Sequence, residues 1–70
     1  MAEFELINTI KVERAKRDMT QADLAFNVGV SRKTINTIET GKFVPSTITA
    51  LRIAKVFNIT VEELFILKTL

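Results

Sequence analysis

Arg32, Lys33, Asn36 and Thr37 stand at i, i+1, i+4 and i+5, a spacing that gathers them on one face of a helix opposite Ile35 and Ile38. None of the four carries a carboxylate. Such a face can hydrogen-bond base edges in the major groove of duplex DNA: Arg or Lys pairs with guanine O6 and N7, Asn with adenine N6 and N7, and a Thr methyl meets the thymine methyl. Covalent chemistry has less to work with. The 70 residues include no Cys and no His, which removes thiol nucleophiles, imidazole bases, Cys/His zinc sites and haem attachment. A hydrolase using Ser31, Asp23 or the Glu62/Glu63 pair would lack a base for the Ser, and the adjacent Glu62 and Glu63 would point in different directions from a helix. The expectation is a protein that is not an enzyme and uses no cofactor or metal.

A face of this kind must be carried by a helix held at a fixed angle to its support. Residues 21–39, QADLAFNVGVSRKTINTIE, meet the needs of two helices joined by a short turn containing Gly. Ala25 is small where the second helix approaches, Gly29 admits the turn, and Val30, Ile35 and Ile38 supply the inner face. Thr20 with Asp23 and Thr60 with Glu63 have capping-box spacing, Ser31 and Ser46 are further N-caps, and Gly29, Gly41 and Asn58 mark helix ends. The pattern predicts five short helices near residues 9–17, 21–28, 32–39, 47–57 and 61–65. Phe4-Glu5-Leu6-Ile7 and Phe65-Ile66-Leu67 are rich enough in aromatic and β-branched residues to pair as two small strands. The expected fold class is all-α, a five-helix domain with room for that terminal pair.

The whole chain, residues 1–70, reads as one domain without a linker or repeat, and its only Pro, Pro45, lies between helical patterns. Its 47% hydrophobic and 26% charged residues suit a small globular core, marginal enough at this length for self-association to add stability. The net charge is only +2, but residues 8–42 carry seven basic against four acidic side chains, so the positive excess lies in the first half. No apolar run approaches the roughly 20 residues of a membrane span, and the start MAEFELINT has neither a basic head nor an apolar signal core. With no disulfides available, a reducing, cytoplasmic setting is expected. Neither a membrane nor a small-molecule ligand is expected among its partners.

Seven stretches together resemble the Cro and phage-repressor type of helix-turn-helix regulator, the XRE family: IKVERAK at 10–16, MTQADLA at 19–25, GVSRKTI at 29–35, IETGK at 38–42, VPS at 44–46, RIAKVF at 52–57 and VEELF at 61–65. The resemblance spans about residues 8–65. It implies a double-stranded DNA partner and a transcription regulator that occupies a site to block or recruit the transcription machinery. Gln21 matches the family's residue that binds a phosphate and braces the recognition helix. Arg32, Lys33 and Thr37 match base-reading positions, with Asn36 and Thr34 beside them. Lys42, with the backbone after Thr40, matches phosphate contacts that set register. Arg14 and Glu39 match a pair that joins the first helix to the recognition helix. The chain departs from the family where a Leu is common in the first helix, since Glu13 stands there beside Val12.

A homodimer is expected from the C-terminal half. Ala50, Ile53, Ala54 and Phe57 complete an i, i+3, i+4, i+7 core stripe in the fourth helix, which leaves Ile48, Leu51 and Val56 over. With Phe43, Val44, Phe65, Ile66 and Leu67 they offer more apolar surface than so small a monomer readily buries. Two copies would also span DNA half-sites one helical turn apart on a palindromic operator. Three other functions compete with this reading. An antitoxin-like or accessory protein-interaction module suits the low net charge. An RNA binder is disfavoured by the absence of Trp, Tyr and any aromatic on the reading face, and a small hydrolase by the missing base.

Overall fold

Side chains begin four of the five helices. Thr20, Ser31, Ser46 and Thr60 all have extended backbone and accept from the amide three residues on, and at Thr20 and Thr60 the boxes with Asp23 and Glu63 close in both directions. In the computed structural model, which describes residues 3–70, the order is β1 (Phe4–Asn8), α1 (Ile10–Lys16), α2 (Gln21–Val28), α3 (Arg32–Glu39), α4 (Thr47–Phe57), α5 (Val61–Leu64) and β2 (Phe65–Thr69). The five helices lie where the sequence places them, to within one residue at their ends. Hydrogen bonds from Thr20 hold the Asp23 carboxyl below the usual carboxylate range.

The chain is not all-α. Phe65 turns to extended backbone directly after Leu64, so α5 stops one residue before the predicted end and β2 begins. It pairs antiparallel with β1 over five residues, from Phe4 opposite Thr69 to Asn8 opposite Phe65. Alternation along the strands puts Leu6, Phe65 and Leu67 on one face and Ile7 and Ile66 on the other. The sheet joins the two ends of the described residues, where the Leu70 amide also donates to the Glu3 carbonyl.

The core is formed by Ile10, Leu24, Ala25, Val28, Ile35, Ile38, Ile53, Ala54, Phe57 and Leu64, one or more from each helix. Ala50 is only half-buried, so the expected core stripe of α4 begins at Ile53. Gly29 closes α2 in the left-handed region at φ +87°, and the amides of Gly29 and Val30 both donate to the Ala25 carbonyl. Nothing crowds the place a Cβ would take, the nearest atom being Arg52 Nη1 at 3.9 Å. Backbone conformation, not space, is what calls for glycine here.

Two details of α1 lay outside the sequence reading. Glu13, where the family pattern has an apolar residue, accepts from Arg17 at 2.8 Å and Lys16 at 3.3 Å, and the Arg17 hydrogen bond foremost lowers its pKa. Arg17 also stands 4.8 Å from the centre of the Phe57 ring and donates to the Phe57 carbonyl at 2.6 Å. A polar bridge thus ties α1 to the end of α4 in place of an apolar contact. Asp18, just past α1, adopts φ +49°, a conformation costly to a residue with a Cβ, at the helix end that disfavours negative charge. Asp18→Gly is therefore expected to raise the unfolding free energy in urea by about 0.5–1 kcal/mol. A lower midpoint would show that Asp18 makes a contribution unrelated to its backbone.

Candidate nucleic-acid interface

The turn at Gly29-Val30 sets α3 across α2, with Ile35 and Ile38 wholly buried beneath it. Arg32, Lys33 and Asn36 are exposed on the opposite side, and Thr37 is half-buried at its edge. The only carboxylate in α3, Glu39, is turned inward, its side chain 8% exposed. The outer face therefore offers no negative charge to a polyanion. Thr37 donates its hydroxyl back to the carbonyls of Lys33 and Thr34 at 3.1 and 3.0 Å, which leaves its methyl and an oxygen lone pair for contacts.

Gln21 opens α2 beside this face. Its Nε2 donates to Asn36 Oδ1 at 3.1 Å, and its Oε1 accepts from Arg32 Nη1 at 3.3 Å, so one side chain touches both ends of the exposed row. Thr34 shares a 2.9 Å hydrogen bond with the Ser31 hydroxyl at the helix start. Thr40 donates its hydroxyl to the Asn36 carbonyl at 2.8 Å, and the amides of Lys42 and Phe43 both donate to the Thr37 carbonyl. The loop after α3 is thereby folded back against it, with Lys42 exposed at the same end. The structure thus brings Gln21 against Arg32 and Asn36, and folds the Thr40–Lys42 loop onto the end of α3.

Arg14 and Glu39 meet behind that surface. Nε donates to Oε2 at 3.1 Å and Nη2 to Oε1 at 2.8 Å, while Nη1 donates to the Met19 carbonyl at 2.9 Å. With side chains 15% and 8% exposed, this is a largely buried, bidentate pair. Asn8, which sequence reasoning missed, supplies a second anchor. Its Nδ2 donates to the carbonyls of Ile38 and Glu39 at the end of α3, and its Oδ1 accepts from the Ile10 amide at the start of α1. An Asn two residues before a helix was a readable sign of the second contact. The first, about thirty residues away in sequence, was not.

On another side, Leu6, Val44, Pro45, Ala50, Leu51, Val61 and Phe65, with Thr47, line an open groove of about 310 Å³. Of the residues expected to cover a partner copy, Phe43, Val44, Ile48, Leu51, Ile66 and Leu67 are exposed. Val56 and Phe65 are instead half-buried against the core, and Phe65 shows its remaining surface to the groove. Ile66 lies on the other face of the sheet from Leu67, so it cannot share one flat surface with the groove. No helix among the described residues is long and apolar enough to cross a membrane.

Two helices crossing at a short turn, with a carboxylate-free outer face on the second, define a helix-turn-helix protein. The helix-turn-helix family model matches residues 10–64, and the chain belongs to this family, in its XRE-type branch. It is 49% identical over 59 residues to an uncharacterized HTH-type transcriptional regulator of Methanocaldococcus jannaschii, an alignment covering 84% of this chain and 89% of that one. An uncharacterized HTH-type transcriptional regulator of Archaeoglobus fulgidus is 53% identical over 57 residues, covering 81% and 80%. Among solved structures, the restriction-modification controller protein C.AhdI of Aeromonas hydrophila superposes with a TM-score of 0.73 at 26% identity, covering 77% of this chain and 82% of that one.

Proposed function

We propose that the chain is a sequence-specific, double-stranded-DNA-binding transcriptional regulator working in the cytoplasm, and that two copies occupy a palindromic operator. The observation that carries this is the outer face of α3: Arg32, Lys33 and Asn36 stand exposed while Glu39 is drawn inward. A helix fits the major groove, and these side chains match base edges there. Arg32, Lys33, Asn36 and Thr37 read bases. Gln21, Thr34, Thr40 and Lys42 flank them and hold the phosphates that fix register. Arg14 and Glu39 contribute rigidity, not contact. The names of the relatives, transcriptional regulators in both archaea, agree with this reading.

Selection of bound duplexes from a random pool tests the function directly, since it yields site, symmetry and half-site spacing together. Enrichment of a dyad-symmetric sequence is the expected result. No enrichment, with the fold intact, would favour the accessory protein-interaction module instead. Within the proposed function, Arg32 and Lys42 should behave differently. Arg32→Ala is expected to cost about 1–3 kcal/mol on the preferred site and relax preference at one base pair. Lys42→Ala should weaken binding to all sequences alike and lower the slope of log affinity against log salt by about one. Salt-titrated binding to the selected site and to a scrambled duplex separates the two, and equal, sequence-blind losses would defeat the assignment.

A further inference from the structure

We infer that Gln21 sets the hydrogen-bonding polarity of the reading face: it turns Asn36 into a donor toward DNA, so the base pair under Asn36 is selected for guanine or thymine over adenine or cytosine. This inference rests on the DNA-reading function proposed above. Its starting point is Arg32, whose guanidinium has donors and no acceptor. Arg32 Nη1 donates to Gln21 Oε1 at 3.3 Å, so the carbonyl end of the Gln21 amide must face Arg32. The reverse orientation would set donor against donor. The amide nitrogen is then left facing α3, where Nε2 donates to Asn36 Oδ1 at 3.1 Å. That contact in turn fixes Asn36. Its oxygen is turned to Gln21, and its Nδ2 has no partner among the described residues.

Three of the four side chains in the row are then donors, and Thr37 keeps only an acceptor. Arg32 and Lys33 are donors by nature, Asn36 becomes one by this relay, and the Thr37 hydroxyl proton is spent on the backbone of α3. In the major groove guanine presents two acceptors and thymine one, whereas adenine sets an amino donor beside its single acceptor and cytosine presents an amino donor. An unrestrained Asn would grip adenine with both ends of its amide. Here one lone pair of the end that would accept from adenine N6 is engaged with Gln21, which holds that oxygen toward α2 and leaves Nδ2 as the end free to turn to the base.

The relay can be inverted by one change. Gln21→Glu places a carboxylate at the start of α2, where negative charge is favourable to the helix. It still accepts from Arg32, but with no donor of its own it holds Asn36 through Nδ2 and turns Oδ1 outward. Gln21→Met keeps the length of the side chain and removes both ends of the relay. The experiment is selection from a random duplex pool by the wild-type chain and by Gln21→Glu, Gln21→Met and Asn36→Ala, each first checked by thermal melting. The base pair at which Asn36→Ala loses preference marks the position read. There the wild type should favour guanine or thymine, Gln21→Glu should move the preference toward adenine or cytosine by about tenfold, and Gln21→Met should blur it without inverting it. Positions read by Lys33 and Thr37, which Gln21 does not touch, should keep their preference. Gln21→Glu should also weaken binding to all sequences, because its carboxylate faces the phosphate that Gln21 holds, so the preference and not the affinity is the test. Wild-type selection of adenine at that pair, or a Gln21→Glu chain that keeps the wild-type preference there, would overturn the inference while leaving DNA reading intact. A folded wild-type chain that selects no sequence would overturn both.

Discussion

Glu39→Ala is expected to lower the unfolding free energy by about 3 kcal/mol, because it strands a largely buried guanidinium that had been held by both oxygens of one carboxylate. A cysteine-free domain of this size has on the order of 3–5 kcal/mol in total, so the variant should be substantially unfolded at ambient temperature. Arg14→Ala should cost a similar amount, since the Glu39 carboxylate would then be buried alone and the Met19 carbonyl would lose its donor. The double change should cost less than the sum, with a coupling of about 1–3 kcal/mol. Urea titrations followed by far-ultraviolet circular dichroism measure all three. Strict additivity would show that the two groups do not depend on each other. DNA binding supplies a second readout: Arg14→Met with Glu39→Leu replaces charge by apolar volume and can keep the fold. If the pair also fixes the angle of α3, this folded variant should still lose sequence preference.

The contrast between Asn8 and Thr20 shows which parts of this protein a sequence discloses. Thr20 caps α2 through a residue three positions away, so its role follows from spacing alone. The same holds for Ser31, Ser46, Thr60 and the left-handed Asn58, and these signals placed the helices. Asn8 acts on Ile38 and Glu39, and Arg17 on Phe57. Such contacts depend on how elements pack, which no local pattern encodes. The Arg14–Glu39 pair is of the same long-range kind, and only resemblance to a family exposed it. The reading face of α3 was legible because helical periodicity is local. The Gln21 relay was not, since it exists only once the Gly29 turn has set α2 against α3. Phe26 is a further case: it is 86% exposed, although its apolar character alone would place it inside. α2 already meets the core with Leu24, Ala25 and Val28, and Phe26 falls on the opposite side of that stripe.

Placing a charge at Leu51 is expected to abolish pairing of the proposed dimer while leaving the fold unharmed. Leu51 lines the apolar groove beside Val44 and Pro45 and is 54% exposed, and Ile48, one turn earlier on α4, is 57% exposed. Two apolar side chains at i and i+3 on an uncovered helix face, continuous with a groove, form a surface that a second copy would bury. Leu51→Glu should therefore be neutral for the monomer, where the residue already meets water, and severe for an assembled pair, where a carboxylate would be desolvated without a partner. The functional effect follows from geometry. One short helix reaches a few base pairs, whereas two held by a dyad engage both half-sites at once. Losing that linkage typically lowers affinity by about 10²–10⁴-fold. On a single half-site the wild type and Leu51→Glu should bind alike, which separates loss of pairing from damage to α3. Sedimentation at micromolar protein provides the independent measurement. The wild type should run at twice the 7.9 kDa chain mass and Leu51→Glu at the chain mass. A wild-type chain that sediments as a monomer and selects a site without dyad symmetry would eliminate the dimer, whereas a monomer that selects a palindrome would mean that the second copy joins only on DNA.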